Sequence, residues 1–306
     1  METICERLLK NKLDLNLNDD TLCHIPAPAI LSAINIKIEN VCDYFNKYFN
    51  NKKFIEIKID FPNLMPPFKS FWMEHAPFKN EPGWDRYGRF GFLFERSPEG
   101  TYIEFNTHPP LPGESHLTVS SMESKKFEDV GCVQLLAFAY VYMKRKEFET
   151  IKVIGIASFI CDRNGNARKS KWVSFDEKYY HFYSQIFPCL LAINFMHCKN
   201  VVIKKNIYPD HEIREYQKRY GKPPVKYYTI DIEPAKTILK NEGGIHQVGL
   251  QKALHLCRGH FKHFEEGGGL FGKYHGTYWW PQIMRGNKEF GEVKKDYNVK
   301  ALVVEN

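Results

Sequence analysis

The period of the apolar positions changes several times along the chain, and each change predicts an element. From residue 26 to 49, PAPAILSAINIKIENVCDYFNKYF places Ile30, Leu31, Ile34, Ile38, Val41, Phe45 and Phe49 at helical spacing, which predicts a helix. FIEIKIDF (54–61) alternates and predicts a half-buried strand. The Pro-rich FPNLMPPFKSFWMEHAPF then carries the chain across a surface or into a cleft. GFLFERSPEGTYIEF (91–105) reads as a β-hairpin about a Ser-Pro-Glu-Gly turn. FEDVGCVQLLAFAYVYMKRK (127–146) is apolar around most of its circumference and predicts a buried helix. A second hairpin is expected where IKVIGIASFIC and SKWVSF flank the turn-forming DRNGNARK. A second long helix is expected over 176–200, with Pro188 able to kink it.

The last third changes character. NVVIKKNIY predicts a short strand, EIREYQKRYGKPP a basic helix that stops before Pro223-Pro224, and VKYYTIDIEP a strand. NEGGIHQVG reads as a loop, as does the Asn-rich DLNLNDD near the start. LHLCRGHFKHF (254–264) is a strand candidate, EEGGG a turn, and GTYWWPQIM (276–284) a returning strand. Together these elements predict an α+β fold: antiparallel hairpins or sheet packed against two or three helices, with a basic, β-rich C-terminal part. No internal repeat or low-complexity tract is present.

Charge divides the chain as the patterning does. Lys and Arg number 43 against 36 Asp and Glu, a net charge of +7. Residues 199–306 hold 19 basic and 12 acidic side chains, which is the whole excess; the first 198 balance at 24 and 24. Two parts are therefore expected, a charge-balanced α+β recognition part (1–198) and a basic RNA-binding part (199–306). With no Gly/Ser linker between them, one continuous fold is the alternative. The basic third points to a polyanionic partner, against the plainer reading of a solvated basic surface kept for solubility. No apolar stretch reaches the roughly 18 residues of a membrane span, and METICERLLKNKLDLNLNDD lacks the apolar segment of a secretion signal. The eight cysteines are scattered, with no CxxC pair, which predicts a reducing, cytoplasmic setting without disulfides or a structural zinc site.

Candidate chemistry concentrates in RGHFKHFEEGGGLFGKYHGTYWWPQIMRG (258–286). If 254–264 is extended, Arg258, His260 and Lys262 project from one face and His255, Cys257, Phe261 and His263 from the other. The first set is what a phosphate-facing strand presents: a guanidinium for bidentate contact, an ammonium as point charge, and an imidazole between them. Tyr278, Trp279 and Trp280, next to Arg285, suit base stacking, through whichever indole faces outward. Lys218, Arg219 and Lys222 would add phosphate affinity. Imidazoles beside cations are also what metal-free RNA cleavage needs: His260 with His263 or His275 as base and acid, and Arg258 and Arg285 for the phosphorane charge. Clustered histidines are as well explained by surface or hydrogen-bonded structural roles. His260 and His263 fall on opposite faces of one strand, so no metal site is expected. Gly267, Gly268, Gly269, Gly272 and Gly276 lack a following Gly-Lys-Ser/Thr and read as a turn rather than a phosphate loop. Glu74 and His75 end PPFKSFWMEH with no partner visible in the sequence. No GxSxG elbow, Asp-rich triad or cofactor fingerprint occurs, and no cofactor is expected.

Several of these stretches together resemble a group of bacteriophage and plasmid proteins. RGHFKHF…LFGKYHGTYWWPQIMRG is similar to its C-terminal Arg-Gly-His-aromatic … Leu-Phe-Gly … Trp … Arg-Gly block. REYQKRYGKPPVKYYTIDI resembles its basic Lys-Pro-Pro segment and following strand, PPFKSFWMEH its Pro-Phe-x-x-x-Trp-x-Glu element, and CLLAINFMHCKNVVI its helix ending at an Asn. The matches span most of residues 54–290. A type V-A anti-CRISPR family is a more distant resemblance, through Arg258-Gly259-His260-Phe261 and Trp279-x-Pro281; Cys257 stands where a second basic residue is expected. The resemblance implies a regulator in the bacterial host cytoplasm that binds RNA or the translating ribosome and its nascent chain. Such a regulator lowers production of a host defence protein through decay of its message. The alternatives are a metal-independent ribonuclease and a protein-only inhibitor that binds a defence factor directly.

Overall fold

The computed structural model describes residues 3–10, 14–15, 27–49, 61–65, 67–77, 87–108, 118–129, 131–144, 149–175, 182–232, 253–257, 260–266, 275–280, 283–285 and 287–292. The chain begins with helix α1 (Ile4–Leu9), a two-residue strand β1 (Asp14–Leu15) inside the expected Asn-rich loop, and helix α2 (Ala27–Ser32). Strand β2 (Ile34–Lys37), helix α3 (Glu39–Phe49) and strand β3 (Ser70–His75) follow. The single helix expected over 26–49 is therefore broken. Ile34, Ile36 and Ile38 alternate with Asn35 and Lys37, and β2 is held as a strand by partners on both sides, none of them local. The strand expected over 54–61 lies outside the described residues except for Phe61.

Next come β4 (Tyr87–Arg96), β5 (Thr101–His108), β6 (Thr118–Lys126), β7 (Val133–Lys144), β8 (Glu149–Cys161) and β9 (Ala167–Ser174). Helix α4 (Phe182–Met196, with Pro188 inside), β10 (Val202–Asn206), helix α5 (Asp210–Tyr220) and β11 (Tyr227–Asp231) lead into the last part. There β12 (Ala253–Cys257), β13 (His260–Phe264), β14 (Gly276–Trp280), β15 (Ile283–Arg285) and β16 (Asn287–Glu292) complete an α+β architecture dominated by sheet.

Among the described residues, the main sheet has nine strands in the order β1-β8-β7-β4-β3-β2-β11-β10, with β9 sharing the β1 edge of β8. The β8–β9 pair is the hairpin expected about DRNGN. The buried helix expected over 127–146 is instead β7, antiparallel to β4 on one side and β8 on the other. A strand covered on both faces loses its polar alternation, so its pattern coincides with that of a buried helix. Ala137, Ala139 and Val141 enter one apolar cluster with α3 and α4, while Leu136, Phe138 and Tyr140 enter another with α1 and α2.

The expected 91–105 hairpin is corrected as well. Its turn forms, with Thr101 N donating to the Pro98 carbonyl at 3.1 Å. Both edges of β4 are taken by β3 and β7, however, so β5 cannot pair back and forms a separate two-stranded sheet with β6. A buried side chain ties that sheet to β7: Ile103 N donates to Gln134 Oε1 (2.6 Å) and Gln134 Nε2 donates to the Ile103 carbonyl (2.8 Å). The amide stands in for a strand neighbour. The charge shift near residue 198 does not mark the edge of this body, because β10 and β11 extend the main sheet from β2.

Inside the second cluster lies a charged group. Glu74, fully enclosed, accepts from Ile4 N at 3.0 and 2.8 Å and from Trp72 Nε1 at 3.1 Å, so it caps the first turn of α1. Arg89 Nε lies 3.3 Å away, off the line of a hydrogen bond, and Arg89 Nη2 donates to Glu39 at 2.8 Å. Burial pushes the Glu74 carboxyl up to about 6, against the opposing pull of Arg89. On the other face, His75 places Nδ1 2.7 Å from the Ala76 carbonyl and Nε2 2.7 Å from the Gln185 carbonyl, and burial pushes its pKa down. Burial likewise raises the Cys161 and Cys198 thiols to about 12, as befits small core hydrophobes.

Because the folded carboxyl of Glu74 titrates above its unfolded value of 4.5, its contribution is fully present below 4.5 and is lost as pH rises through 6. Urea unfolding should therefore register about 2 kcal/mol less stability from this group at pH 7.5 than at pH 4.5, a dependence that Glu74→Gln removes. Arg89→Met should cost about 3–5 kcal/mol at pH 8, where it strands an ionised carboxylate, and less at pH 5.

Candidate nucleic-acid interface

Strands β13 and β14 form an antiparallel hairpin with His260 opposite Trp280, Phe261 opposite Trp279, Lys262 opposite Tyr278, and His263 opposite Thr277. Directly paired residues share a face, so His260, Lys262, Phe264, Tyr278 and Trp280 lie on one side and Phe261, His263, Thr277 and Trp279 on the other. The single strand expected over 254–264 is two: β12 belongs to a different sheet, between β15 and β16.

The inner face is a docking face. Trp279 is buried, with its indole edge-on to Tyr44 (5.8 Å) and Phe195 (5.1 Å) and tilted against Phe261 (4.7 Å). Beside it, buried Asn200 acts as a false strand neighbour: Trp279 N donates to Asn200 Oδ1 (3.0 Å) and Asn200 Nδ2 donates to the Trp279 carbonyl (2.9 Å). Lys199 N donates to the Thr277 carbonyl at 2.9 Å. The Lys199 stem crosses Gly276, 3.1 Å from where a Cβ would stand, at a φ of +103° that itself favours glycine. The turn after α4 thus fixes the hairpin and brings an additional cation to it.

The outer face carries the polar chemistry. His260 and Lys262 are exposed and Trp280 is half-buried. Lys262 Nζ sits 4.8 Å from the Phe264 ring centroid and 5.4 Å from that of Trp280, a cation–π arrangement that orders a long side chain without neutralising it.

The expected site residues divide accordingly. His260, Lys262 and Trp280 share one accessible face. Trp279 is corrected from a contact to a core residue, because an indole packed on Tyr44 and Phe195 has no face left for a base. His263 lies on the inner side, Nδ1 3.1 Å from Thr277 Oγ1. His275 Nδ1 donates to the Glu265 carbonyl at 3.0 Å, at the far end of the hairpin. His275 precedes Trp280, the partner of His260, by five positions, or about 17 Å of extended chain. Neither His263 nor His275 can therefore serve one phosphate together with His260, so the geometry opposes the expected acid–base pairs. Arg258 and the Gly267–Gly269 run lie outside the described residues. Arg285 stands opposite His255 in the separate β12–β15 pairing.

Lys218, Arg219 and Lys222 are exposed on and just after α5, but at a different place. Tyr216 and Tyr220 of that helix receive Lys10 Nζ at 5.6 and 4.9 Å from their ring centroids, which ties α5 to the end of α1. The α1 side chains pack in the cluster on one face of the sheet, and Trp279 packs in the cluster on the other. The two basic surfaces expected to act together are thus on opposite faces. Asn200 and Lys199 carry the dock, and composition alone left them unmarked; the asparagine ending the helix in CLLAINFMHCKNVVI was their one signal. Among the described residues, no group of three or more His, Cys, Asp or Glu is arranged to hold a metal ion, and no helix is long and apolar enough to cross a membrane.

Fold and site define an α+β, sheet-dominated protein with a docked basic–aromatic hairpin. No family model, no curated protein and no solved structure matches the chain. Asn200→Ala should release the hairpin: it leaves two buried backbone groups unpaired, for a loss of about 2–4 kcal/mol. Hydrogen exchange should then accelerate at 276–280 while β7 stays protected.

Proposed function

We propose that this chain is an RNA-binding regulator and that the outer face of the β13–β14 hairpin is its contact surface. The observation that carries the reading is exposed His260 and Lys262 beside half-buried Trp280 on a hairpin whose other face is locked to α4. An ordered ammonium beside an accessible indole is the combination that binds a single strand, one group meeting phosphate and the other a base. Lys199, whose stem crosses Gly276, adds a second cation. The excess of basic residues beyond position 198 favours a polyanion as partner.

The resemblance to phage and plasmid proteins gives this reading a setting, the bacterial host cytoplasm. The RNA would be a message under translation, and the outcome lower production of a host defence protein. Binding, rather than cleavage, is the reading favoured by the separation of His260 from His263 and His275.

Fluorescence anisotropy with a labelled single-stranded RNA tests it. Affinity should fall steeply with salt, and Lys262→Gln should reduce the log–log slope by about 0.7. Trp280→Ala should cost about 1–3 kcal/mol of binding with the melting temperature nearly unchanged, whereas Trp279→Ala should lower the melting temperature first. RNA affinity that ignores salt and both outer-face variants would sink the proposal, and a nuclease-resistant complex with a protein would replace it.

A further inference from the structure

A second basic feature lies away from the hairpin. The β4–β5 turn, the start of β7 and the β8–β9 turn enclose an open pocket of about 580 Å3. Three cations from three separate segments line it: Lys69 just before β3, Arg96 at the end of β4, and Arg163 in the β8–β9 turn. Two of these segments are fixed to each other, since Arg96 N donates to the Lys69 carbonyl at 2.8 Å.

Nearby carboxylates do little to offset the charge of Lys69 and Arg163. Glu99 is the one carboxylate among the described residues that line it, and it is exposed on its turn. Asp129 reaches Arg163 only at 3.8 Å, with both side chains mostly in solvent, a pair worth little. Asp162, next in sequence to Arg163, is consumed by its own turn: Oδ1 accepts from Asn164 N (2.9 Å) and Asn166 N (3.0 Å), and Oδ2 from Arg168 (2.6 Å). That turn also fixes the backbone from which Arg163 projects.

Arg163 is further positioned by an absent side chain. It lies across Gly131, where a Cβ would stand 1.8 Å from its Nε and 2.4 Å from its Cγ. Met65, Pro98 and Val133 supply an apolar wall beside the cations. A concave site with an apolar wall and a few convergent charges, within the 300–1,000 Å3 typical of small-ligand pockets, has the make-up of a ligand site.

We propose that this pocket binds the phosphate group of a nucleotide. Lys69 and Arg163 receive the phosphate, the apolar wall meets the base, and Glu99 accepts from a hydroxyl such as ribose supplies. Guanidinium groups suit this role because they meet phosphate oxygens with two parallel N–H donors. The phosphate belongs either to a free mononucleotide or to the 5′ end of an RNA chain. The assignment stands without the hairpin reading.

Isothermal titration of the full chain with 5′-AMP, adenosine, and one short RNA bearing either a 5′-phosphate or a 5′-hydroxyl tests it. 5′-AMP should bind and adenosine should not. Lys69→Gln and Arg163→Gln should each weaken binding about tenfold, the scale of one charged hydrogen bond. Gly131→Ala retains every charge but displaces Arg163, and should weaken binding comparably with the melting temperature nearly unchanged. Should only the 5′-phosphorylated RNA respond to these variants, the phosphate is that of an RNA end; if 5′-AMP responds too, a free nucleotide suffices. Affinities for 5′-AMP and for the 5′-phosphorylated RNA that are both indifferent to Arg163→Gln and Gly131→Ala would overturn the proposal, as would equal binding of adenosine and 5′-AMP. Lys262→Gln should leave 5′-AMP binding intact, so failure here and failure of the hairpin interface are read separately.

Discussion

Strands β4 and β7 carry buried side chains on both faces, and that double burial governs where everything else is placed. Phe92 and Phe94 enter one cluster and Leu93 the other, with the same division among residues 135–142 of β7. A strand in that position satisfies its backbone through two neighbouring ladders and needs an apolar layer above and below. Helices α3 and α4 form one layer. Helices α1 and α2 and the β5–β6 sheet form the other, with Gln134 reaching out of β7 to hold β5. The cost of the arrangement is concentrated at Glu74, a carboxylate enclosed on one of those faces. It is tolerable because α1, Trp72 and Arg89 all turn donors or charge toward it.

The turn at the end of α4 converts this layered core into a platform. Asn194 Oδ1 accepts from Asn63 N at 2.9 Å, His197 Nε2 meets the Met65 carbonyl, and Asn200 pairs with the Trp279 backbone. Asn63–Met65 borders the cationic pocket and Trp279 belongs to the hairpin, so one helix end anchors both features. Side chains, two amides and an imidazole, do the work of backbone here, which lets irregular chain be held firmly without a further strand. The proposed interface is therefore anchored on its inner side at Trp279 and presents His260 and Lys262 to solvent on its outer one.

Legibility in the sequence followed the range of the forces involved. The β8–β9 hairpin, α4 with its internal proline, and α5 stopping before Pro223-Pro224 are legible because turn chemistry and helical periodicity act over a few residues. The misreadings at β2 and β7 share one cause. Apolar side chains at Ile30, Ile34, Ile38 and Val41 satisfy a helix as well as they satisfy a helix–strand–helix path. A run such as LLAFAYVY is apolar whether it is wrapped by a helix bundle or layered in a sheet. The β4–β5 segment differs in another way: its turn forms as its local chemistry predicts, but strand pairing depends on which edges are already occupied.

For the candidate site, the residue types alone determined that residues 258–286 bring cations, imidazoles and indoles together, and alternation determined that His260 and Lys262 share a face. Those are consequences of covalent spacing and the two-residue period of a strand. Which tryptophan is accessible, and that the α5 cations lie across the sheet, were decided by tertiary structure. Each depends on packing against α4 or α1, more than sixty residues away in the chain. The convergence of Lys69, Arg96 and Arg163 is of the same kind: three segments meet at one end of the sheet only because its strands end there, and no local pattern records that meeting.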